Sequence, residues 1–238
     1  MTAPASLSDQ EIIDAFHLLW YERRQRQTWR DTTWLGVPLQ QCPCDLWVYQ
    51  EIIHRTEPDV FVEVGVKNGG NTLWIASLFD MVHGNDLSRG RVVAVDITLK
   101  GVAPEVRKHP RVALIEGSSV DHGVVDRVRQ NVNSARTMVL LDSDHTAPHV
   151  AAELDFFKNV VSPGCYMIVN DTNIGGHPAL DWKDSSPYDA VEHFLATNED
   201  FYADRTAEKH MLTLSPNGYL RRLGPGESAP AIDGPPST

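Results

Sequence analysis

Two apolar segments of this chain each run directly into a group of possible metal ligands. Met138–Leu141 is followed by Asp142-Ser143-Asp144-His145, and Cys165–Val169 is followed by Asn170-Asp171. If both segments are strands of a parallel sheet, their carboxyl ends lie at one edge, which is where ligands bind in open α/β folds. Carboxylate and amide oxygens suit Mg²⁺, and a histidine beside a metal-bound hydroxyl can accept its proton. The spacing therefore predicts a magnesium site with a general base.

Length and charge restrict the classes of protein to which this chain can belong. Its 238 residues fit one α/β domain, and the formal net charge of -11 argues against nucleic acid or a membrane surface as a partner. Three cysteines do not make a disulfide framework, so we expect a reduced, cytoplasmic setting. No apolar segment approaches the roughly 18 residues that a membrane span needs. A small-molecule partner is the remaining expectation.

The elements that must position these residues alternate between strand and helix. Strands are predicted at Val60–Val64, Arg91–Asp96, Val112–Glu116, Met138–Leu141 and Cys165–Val169. Helices are predicted at Cys44–Thr56, Asn71–Val82, Val120–Val132, Pro148–Val160 and Pro187–Thr197, with an earlier helix after a capping box at Ser8–Glu11. Strands separated by helical segments of this length imply βαβ units and a parallel sheet.

The two ends of the chain have different patterns. Phe201–Arg205, His210–Leu214 and Tyr219–Leu223 are short strand candidates, with a tight turn at Pro216–Gly218 before the last one. They predict a C-terminal antiparallel hairpin. We expect residues 1–40 to be a helical extension that serves as a lid or an oligomer contact, residues 41–223 to be the main domain, and residues 224–238 to be a disordered tail.

The segment Phe61–Gly70 reads as a strand, a glycine turn and the start of a helix. Such a turn suits a nucleotide-like cofactor lying against a helix start. Its glycines are spaced G-x-x-x-G-G, which differs from the dinucleotide and P-loop patterns. Glu63, two residues before Gly65, is instead typical of S-adenosylmethionine (SAM) methyltransferases. The next strands end at Asp96, which suits ribose hydroxyls, and at Glu116–Ser119, which suits the adenine edge.

Taken together, these segments resemble the cephalosporin-hydroxylase / rhamnosyl O-methyltransferase family. The resemblance covers about residues 30–223 and is carried by Cys44–Ile53, Glu63–Gly70, Glu116–Ser119, Leu141–His145, Asp171–Pro178 and Pro216–Leu220. It implies a doubly wound, Rossmann-like class I methyltransferase fold with a seven-stranded, mostly parallel sheet. It also implies SAM, Mg²⁺, a homo-oligomer, and O-methylation of a small natural product. The expected acceptor is a deoxysugar, as a rhamnose-type sugar nucleotide or glycoside.

The resemblance assigns roles residue by residue. Metal ligands would be Asp142, Asn170 and Asp171, and His145 would be the general base. Cofactor contacts would come from Glu63, Gly65, Lys67, Gly69, Asp96, Ser118, Ser119 and Asp142. Substrate contacts would come from Asp144, His177 and Trp182. His149 and His122 are expected at the surface.

Two departures from the family pattern leave alternatives open. Relatives commonly have a carboxylate where this chain has Asn170, so the site is expected to bind metal more weakly. The loop at 181–186 lacks the usual glycines and prolines, so the acceptor could also be phenolic. Asp144 could merely orient His145 or a neighbouring backbone, and His177 could merely close a turn. A non-methylating accessory protein of a biosynthetic hydroxylation or methoxylation system is the main alternative function. An NAD-dependent dehydrogenase is a weaker one, because the glycine spacing disfavours it.

Overall fold

The computed structural model describes residues 7–22, 28–179 and 186–230 of the chain. Its strands are β1 (Thr33–Trp34), β2 (Val37–Pro38), β3 (Val60–Val64), β4 (Arg91–Asp96), β5 (Val112–Glu116), β6 (Thr137–Leu141), β7 (Tyr166–Val169), β8 (Phe201–Ala203) and β9 (Tyr219–Arg222). Its α-helices are α1 (Asp9–His17), α2 (Thr28–Asp31), α3 (Pro43–Thr56), α4 (Gly70–His83), α5 (Pro104–Arg107), α6 (His122–Val132), α7 (Ala147–Phe157) and α8 (Pro187–Thr197). A π-helical turn at Leu18–Glu22 and a 3₁₀-helix at Arg205–Glu208 complete the set.

The central sheet has seven strands in the order β5-β4-β3-β6-β7-β9-β8, as the predicted fold class requires. The first five are parallel, and β9 pairs antiparallel with both β7 and β8. In the register, Val64 lies beside both Val95 and Leu141. The residues that follow β3, β4 and β6 therefore lie together at one edge of the sheet.

Both faces of the sheet are covered by helices, which explains why its strands are nearly continuous apolar runs. One core cluster packs α6, α7 and α8 against one face, and the other packs α3 and α4 against the opposite face. Strands β3, β6 and β7 are fully buried along their lengths. This rigid arrangement fixes the positions of the loops at the carboxyl edge.

The predicted elements and the observed ones agree closely in the main domain. Strands β3, β4 and β5 and helix α8 have the predicted bounds, and the other predicted helices differ by a few residues at their ends. The capping box at Ser8 and Glu11 is present at the start of α1. Sequence reasoning missed the β1–β2 hairpin and the short helix α5, both too short for a periodic signal.

One predicted strand is wrong. His210–Leu214 forms no strand, because the buried carboxylate of Asp45 on α3 holds this segment as irregular chain. Asp45 accepts hydrogen bonds from the Thr213 hydroxyl (2.5 Å) and from the Leu214 backbone N–H (2.9 Å). The C-terminal antiparallel pair is therefore β8–β9. The predicted turn at Pro216–Gly218 is present before β9 and is closed by Gly218 N–H and Ser215 O at 3.0 Å.

The predicted division into residues 1–40, 41–223 and 224–238 stays a prediction. Within the last segment, residues 225–230 are exposed irregular chain in which Glu227 pairs with Arg221 at 3.1 Å. Residues 231–238 lie outside the described part. Within the described ranges, no helix combines the length and the apolar character that crossing a membrane requires.

Candidate active site

Three predicted site residues converge where β6 and β7 end. Asp142, His145 and Asp171 each offer one possible ligand atom, and these atoms all lie within 4.8 Å of one another. The Nε2 atom of His145 is 3.2 Å from Oδ2 of Asp171. Burial first, and then the nearby charges of Asp171 and Glu63, raise the pKa of Asp142 well above its ordinary value. Crowded carboxyl oxygens with an imidazole fit a divalent cation, which would offset this repulsion.

The structure does not place Asn170 as the sequence predicted. Its amide oxygen accepts hydrogen bonds from the Tyr49 hydroxyl at 2.7 Å and the Ser215 hydroxyl at 2.9 Å. Its amide group instead donates to Asp142, which opposes the rise in the pKa of that carboxyl. Asn170 therefore contacts Asp142 through its amide group, while its oxygen is occupied by two hydroxyl donors. The sequence could not show this, because it does not indicate which end of an amide faces the site.

Residues from the N-terminal part of the chain complete the surroundings of the acidic pair. The Gln41 side-chain amide donates to Asp142 Oδ2 at 2.7 Å, and the Tyr21 hydroxyl donates to Asp171 Oδ1 at 3.4 Å. Tyr21 in turn accepts a hydrogen bond from the Asn173 side chain at 3.2 Å. Sequence reasoning missed Gln41 and Tyr21, because no motif or periodicity marks them.

The glycine loop brings the ends of β3 and β6 into contact. Gly65 has φ +96°, and a Cβ there would lie 1.8 Å from the backbone oxygen of Asp142. Gly69 has φ +86°, precedes α4 and packs against Val106. Only glycine fits both the backbone conformation and this close approach at Gly65. Gly65 lines the cavity described below, whereas Gly69 serves the turn.

Two predicted cofactor residues also organise the glycine loop. Glu63 is 1% exposed and accepts hydrogen bonds from Asn71 (2.8 Å) and from the hydroxyl of Thr72. Burial raises the pKa of Glu63 to about 7. Asp96 Oδ2 accepts the backbone N–H groups of Val66 and Lys67, each at 2.8 Å. These contacts hold the loop in shape before any ligand is bound.

The predicted adenine end contains a buried polar cluster. The Ser119 hydroxyl lies 3.1 Å from His149 Nε2 and donates to Glu153 Oε1 at 2.5 Å. Ser143 donates to the same Glu153 oxygen at 2.6 Å. The prediction of a surface position for His149 was wrong: its side chain is 23% exposed, and its hydrogen bond with Glu153 raises its pKa.

The predicted substrate residues have different surroundings. Asp144 is exposed, and its Oδ1 accepts the backbone N–H of Thr146 at 2.9 Å, which supports the orienting alternative. His177 stacks on Tyr188 with ring centroids 4.1 Å apart and does not join the group of Asp142, His145 and Asp171. Trp182 lies outside the described residues.

One cavity of about 950 Å³ connects the glycine loop with Asp142, His145 and Asp171. This volume is enough for a nucleotide-like cofactor and a small acceptor. The predicted residues that line it are Glu63, Gly65, Lys67, Asp96, Ser118, Ser119, Asp142, Asp144, His145 and Asp171. Trp20, Tyr21 and Trp29 add an aromatic wall from the N-terminal part. The strand ends that the sequence predicted as a site therefore share one cavity.

Comparisons with known proteins agree with this geometry. A family model described as rhamnosyl O-methyltransferase/CmcI matches residues 26–223. A rhamnosyl O-methyltransferase of Mycobacterium tuberculosis (strain H37Rv) is 31% identical over 215 residues, which cover 89% of this chain and 85% of the relative. The protein of the same name from Mycobacterium leprae is 32% identical over 216 residues, which cover 89% and 90% of the two chains.

Solved structures show the same fold. The apo structure of CmcI has a TM-score of 0.64 at 20% identity, covering 82% of this chain and 78% of that chain. The apo structure of a TDP-rhamnose 3′-O-methyltransferase of calicheamicin biosynthesis has a TM-score of 0.53 at 16% identity, covering 94% and 89%. These similarities confirm the predicted class I methyltransferase architecture.

Proposed function

The chain belongs to the rhamnosyl O-methyltransferase/CmcI family and is an S-adenosylmethionine-dependent O-methyltransferase, and we propose that it methylates a hydroxyl group of a deoxysugar. The observation that carries the proposal is the convergence of Asp142, His145 and Asp171 in the cavity of the glycine loop. The names of the mycobacterial relatives and of the TDP-rhamnose enzyme support a sugar acceptor.

The aromatic wall of the cavity also supports this acceptor. Trp20, Tyr21 and Trp29 line it together with Ile174 and Leu214. Aromatic rings pack well against the apolar C–H faces of a sugar, and a deoxysugar has an additional methyl group to bury. The indole N–H of Trp29 is buried without a partner, so it is a candidate donor to a sugar oxygen.

We further propose that Mg²⁺ is held by Asp142 and Asp171. When bound, the cofactor supplies an electrophilic methyl group and Mg²⁺ supplies Lewis acidity at the acceptor oxygen. Gln41 and Tyr21 orient the two carboxylates through their hydrogen bonds. Because the Nε2 atom of His145 is engaged by Asp171, Nδ1 accepts the proton of the acceptor hydroxyl. The protein thus contributes positioning and proton transfer.

The test is a SAM-turnover assay on a panel of sugar nucleotides, glycosides and phenols, with Mg²⁺ or with excess chelator. We expect turnover with a deoxysugar, its loss in chelator, and unchanged binding of S-adenosylhomocysteine in calorimetry. Full turnover in chelator would refute the role of the metal. Turnover with phenols alone would refute the sugar acceptor.

His145→Ala tests the proposed base in the same assay. We expect turnover to fall by about 10²- to 10⁴-fold, the usual effect of losing a general base. Cofactor affinity should stay unchanged, and the exposed His193→Ala serves as the matched control. If Mg²⁺ affinity falls in proportion to the rate, His145 is a metal ligand and not the base. Homo-oligomer formation and a cytoplasmic location stay predictions.

A further inference from the structure

A second cavity lies at the edge of the sheet opposite to the active site. Its volume is about 580 Å³, and it shares no lining residue with the cavity of the glycine loop. Arg136 directly precedes β6 and Gly164 precedes β7, so the cavity lies at the amino ends of these strands. The proposed methyl transfer does not use it. The charged residues among the described ones that line it are three arginines and two carboxylates: Arg55, Arg136, Arg221, Asp204 and Glu227.

Two of these arginines converge on the turn before β7. A Cβ at Gly164 would lie 3.4 Å from Nη2 of Arg136 and 3.9 Å from Nη2 of Arg221. The two nitrogens are therefore at most about 7.3 Å apart, which is the sum of these two distances. One phosphate group bridges donors up to roughly 8 Å apart, through hydrogen bonds of about 2.8 Å to two of its oxygens. Both guanidinium groups are thus within reach of a single oxyanion.

The guanidinium group of Arg136 is fixed in place and still has an available donor. Its Nε donates to the backbone oxygen of Thr56 at 2.5 Å, and its Nη1 donates to that of Pro163 at 3.1 Å. Its Nη2 donates to no described residue. Because two carbonyl groups already order this side chain, a ligand at Nη2 does not have to immobilise it.

Glu227 holds Arg221 as an anionic ligand would. Its Oε2 lies 3.1 Å from Nη1 of this arginine, and its Oε1 lies 3.2 Å from Nη2. This two-point contact is the geometry in which arginine binds carboxylate and phosphate groups. Glu227 belongs to the exposed chain after β9, and its own side chain is 45% exposed. Since such an exposed ion pair is weak, an external oxyanion can displace it.

The second carboxylate of the lining, Asp204, already has its partners. It is 8% exposed and accepts hydrogen bonds from the Tyr166 hydroxyl at 2.5 Å and from the Thr206 backbone N–H at 3.1 Å. Its Oδ2 also lies 3.8 Å from Nη2 of Arg55. Asp204 therefore balances Arg55, and two arginines remain for a ligand once Glu227 moves away. A local excess of positive charge in a chain with a formal net charge of -11 favours an anion at this place.

We propose that Arg136 and Arg221 form a binding site for a phosphate group and that Glu227 is its internal competitor. The cavity is larger than one phosphate group, so it also has room for the organic part of a small phosphorylated molecule. The site is separate from the methyl transfer, and the inference does not depend on the proposed function.

Calorimetry with the full chain in a phosphate-free buffer of low ionic strength tests the site, because salt screens exposed charges. The probes are inorganic phosphate, pyrophosphate and uridine diphosphate. Arg136→Gln should weaken the binding of phosphate and pyrophosphate by about 10-fold, the low end of the range for a hydrogen bond to a charged group. Arg129→Gln makes the same change at an exposed position of α6 and should alter neither affinity.

Glu227→Gln tests the competition without altering the sheet. It should strengthen the binding of phosphate and pyrophosphate by about 2- to 5-fold, because an exposed ion pair no longer competes with them. Glu199→Gln is the matched control, since it changes the net charge equally at another exposed position. Glu227 lies in exposed irregular chain, so this variant keeps the proposal testable even if Arg136→Gln does not fold.

Uridine diphosphate distinguishes the two sources of the phosphate group. If it binds more tightly than pyrophosphate and Arg136→Gln removes that binding, the ligand is a phosphorylated molecule. If it binds no more tightly than pyrophosphate, the ligand is the free anion. Both results support the site.

Three results would overturn the proposal. They are no binding of phosphate or pyrophosphate to the unmodified protein, a loss in Arg136→Gln no larger than in Arg129→Gln, and an affinity of Glu227→Gln no higher than that of Glu199→Gln. Each can occur in a protein that methylates a sugar, so each leaves the proposed function intact.

Discussion

Replacing Glu63 by Gln should make the folded protein less sensitive to alkaline pH. Glu63 is 1% exposed, and burial raises its pKa from 4.5 to about 7 despite hydrogen bonds from Asn71 and Thr72. A pKa that is raised in the folded state stabilises the fold fully at low pH, and this stabilisation is lost as the pH rises through the folded value. Gln carries no proton to lose, so the variant lacks that decline.

The magnitude follows from the two pKa values. A rise from 4.5 to about 7 corresponds to about 3 kcal/mol of stability between acid and alkaline pH. The protein has a sequence pI near 5.3, where solubility is lowest, so measurements should stay at pH 6 and above. About 1 kcal/mol of the decline lies between pH 6 and pH 9. For a domain of this size, that is a difference of roughly 2–4 °C in Tm.

The assay is thermal and urea unfolding of the metal-free, cofactor-free protein at pH 6 and pH 9. A glutamine at this position still accepts a hydrogen bond from Asn71 and can donate one to the Thr72 hydroxyl. Any other effect of the substitution on the free energy of unfolding is therefore nearly independent of pH. Between pH 6 and pH 9, the stability of Glu63→Gln should therefore rise by about 1 kcal/mol relative to that of the unmodified protein. Glu116→Gln, at the exposed end of β5, is the control and should gain nothing. A constant difference between Glu63→Gln and the unmodified protein would refute the reasoning.

Two further predictions concern the backbone contact and the orientation of Asn170. Gly65→Ala should cost more than about 3 kcal/mol in urea unfolding, because its Cβ meets the Asp142 backbone at 1.8 Å and φ is +96°. Gly36→Ala, with φ +85° and no atom within 4 Å, should cost only about 1 kcal/mol. In urea unfolding, Tyr49→Phe and Ser215→Ala should each lower the free energy of unfolding by about 1 kcal/mol. The double variant should lower it by more than the sum, because Asn170 Oδ1 then loses both of its donors. A strictly additive result would show that Asn170 has another donor.

The main sheet could be predicted because its strands are buried on both faces. Val60–Val64 and Arg91–Asp96 were predicted to the residue, since a mostly apolar run of this length between helical segments is typical of a buried parallel strand. His210–Leu214 has the same local appearance and was wrong. Its conformation is set by Asp45, a residue more than 160 positions away in the chain. A local sequence pattern does not indicate a contact between residues so far apart in the chain.

The site could be predicted as far as strand ends determine it. Asp142, His145 and Asp171 meet because the register of β6 and β7 brings their ends together. Gln41 and Tyr21 could not be predicted, since they come from irregular and π-helical chain whose path depends on packing. The role of Asn170 depends on two hydroxyl donors, from Tyr49 and Ser215, that no spacing rule connects to it.

In the described residues, the buried side-chain atoms that lack a hydrogen-bond partner lie in or next to the cavity. The unpaired buried side-chain atoms belong to Trp29, Gln41, Asn71, Glu153 and Asn173. Trp29, Gln41 and Asn71 line the cavity. The other two residues bond to residues that line it: Glu153 bonds to Ser119 and Ser143, and Asn173 bonds to Tyr21. A natural sequence satisfies its buried polar groups almost everywhere, so a cluster of exceptions marks the place where a ligand supplies the missing partners. Because such a ligand binds only the folded state, its binding should raise the stability of the whole domain.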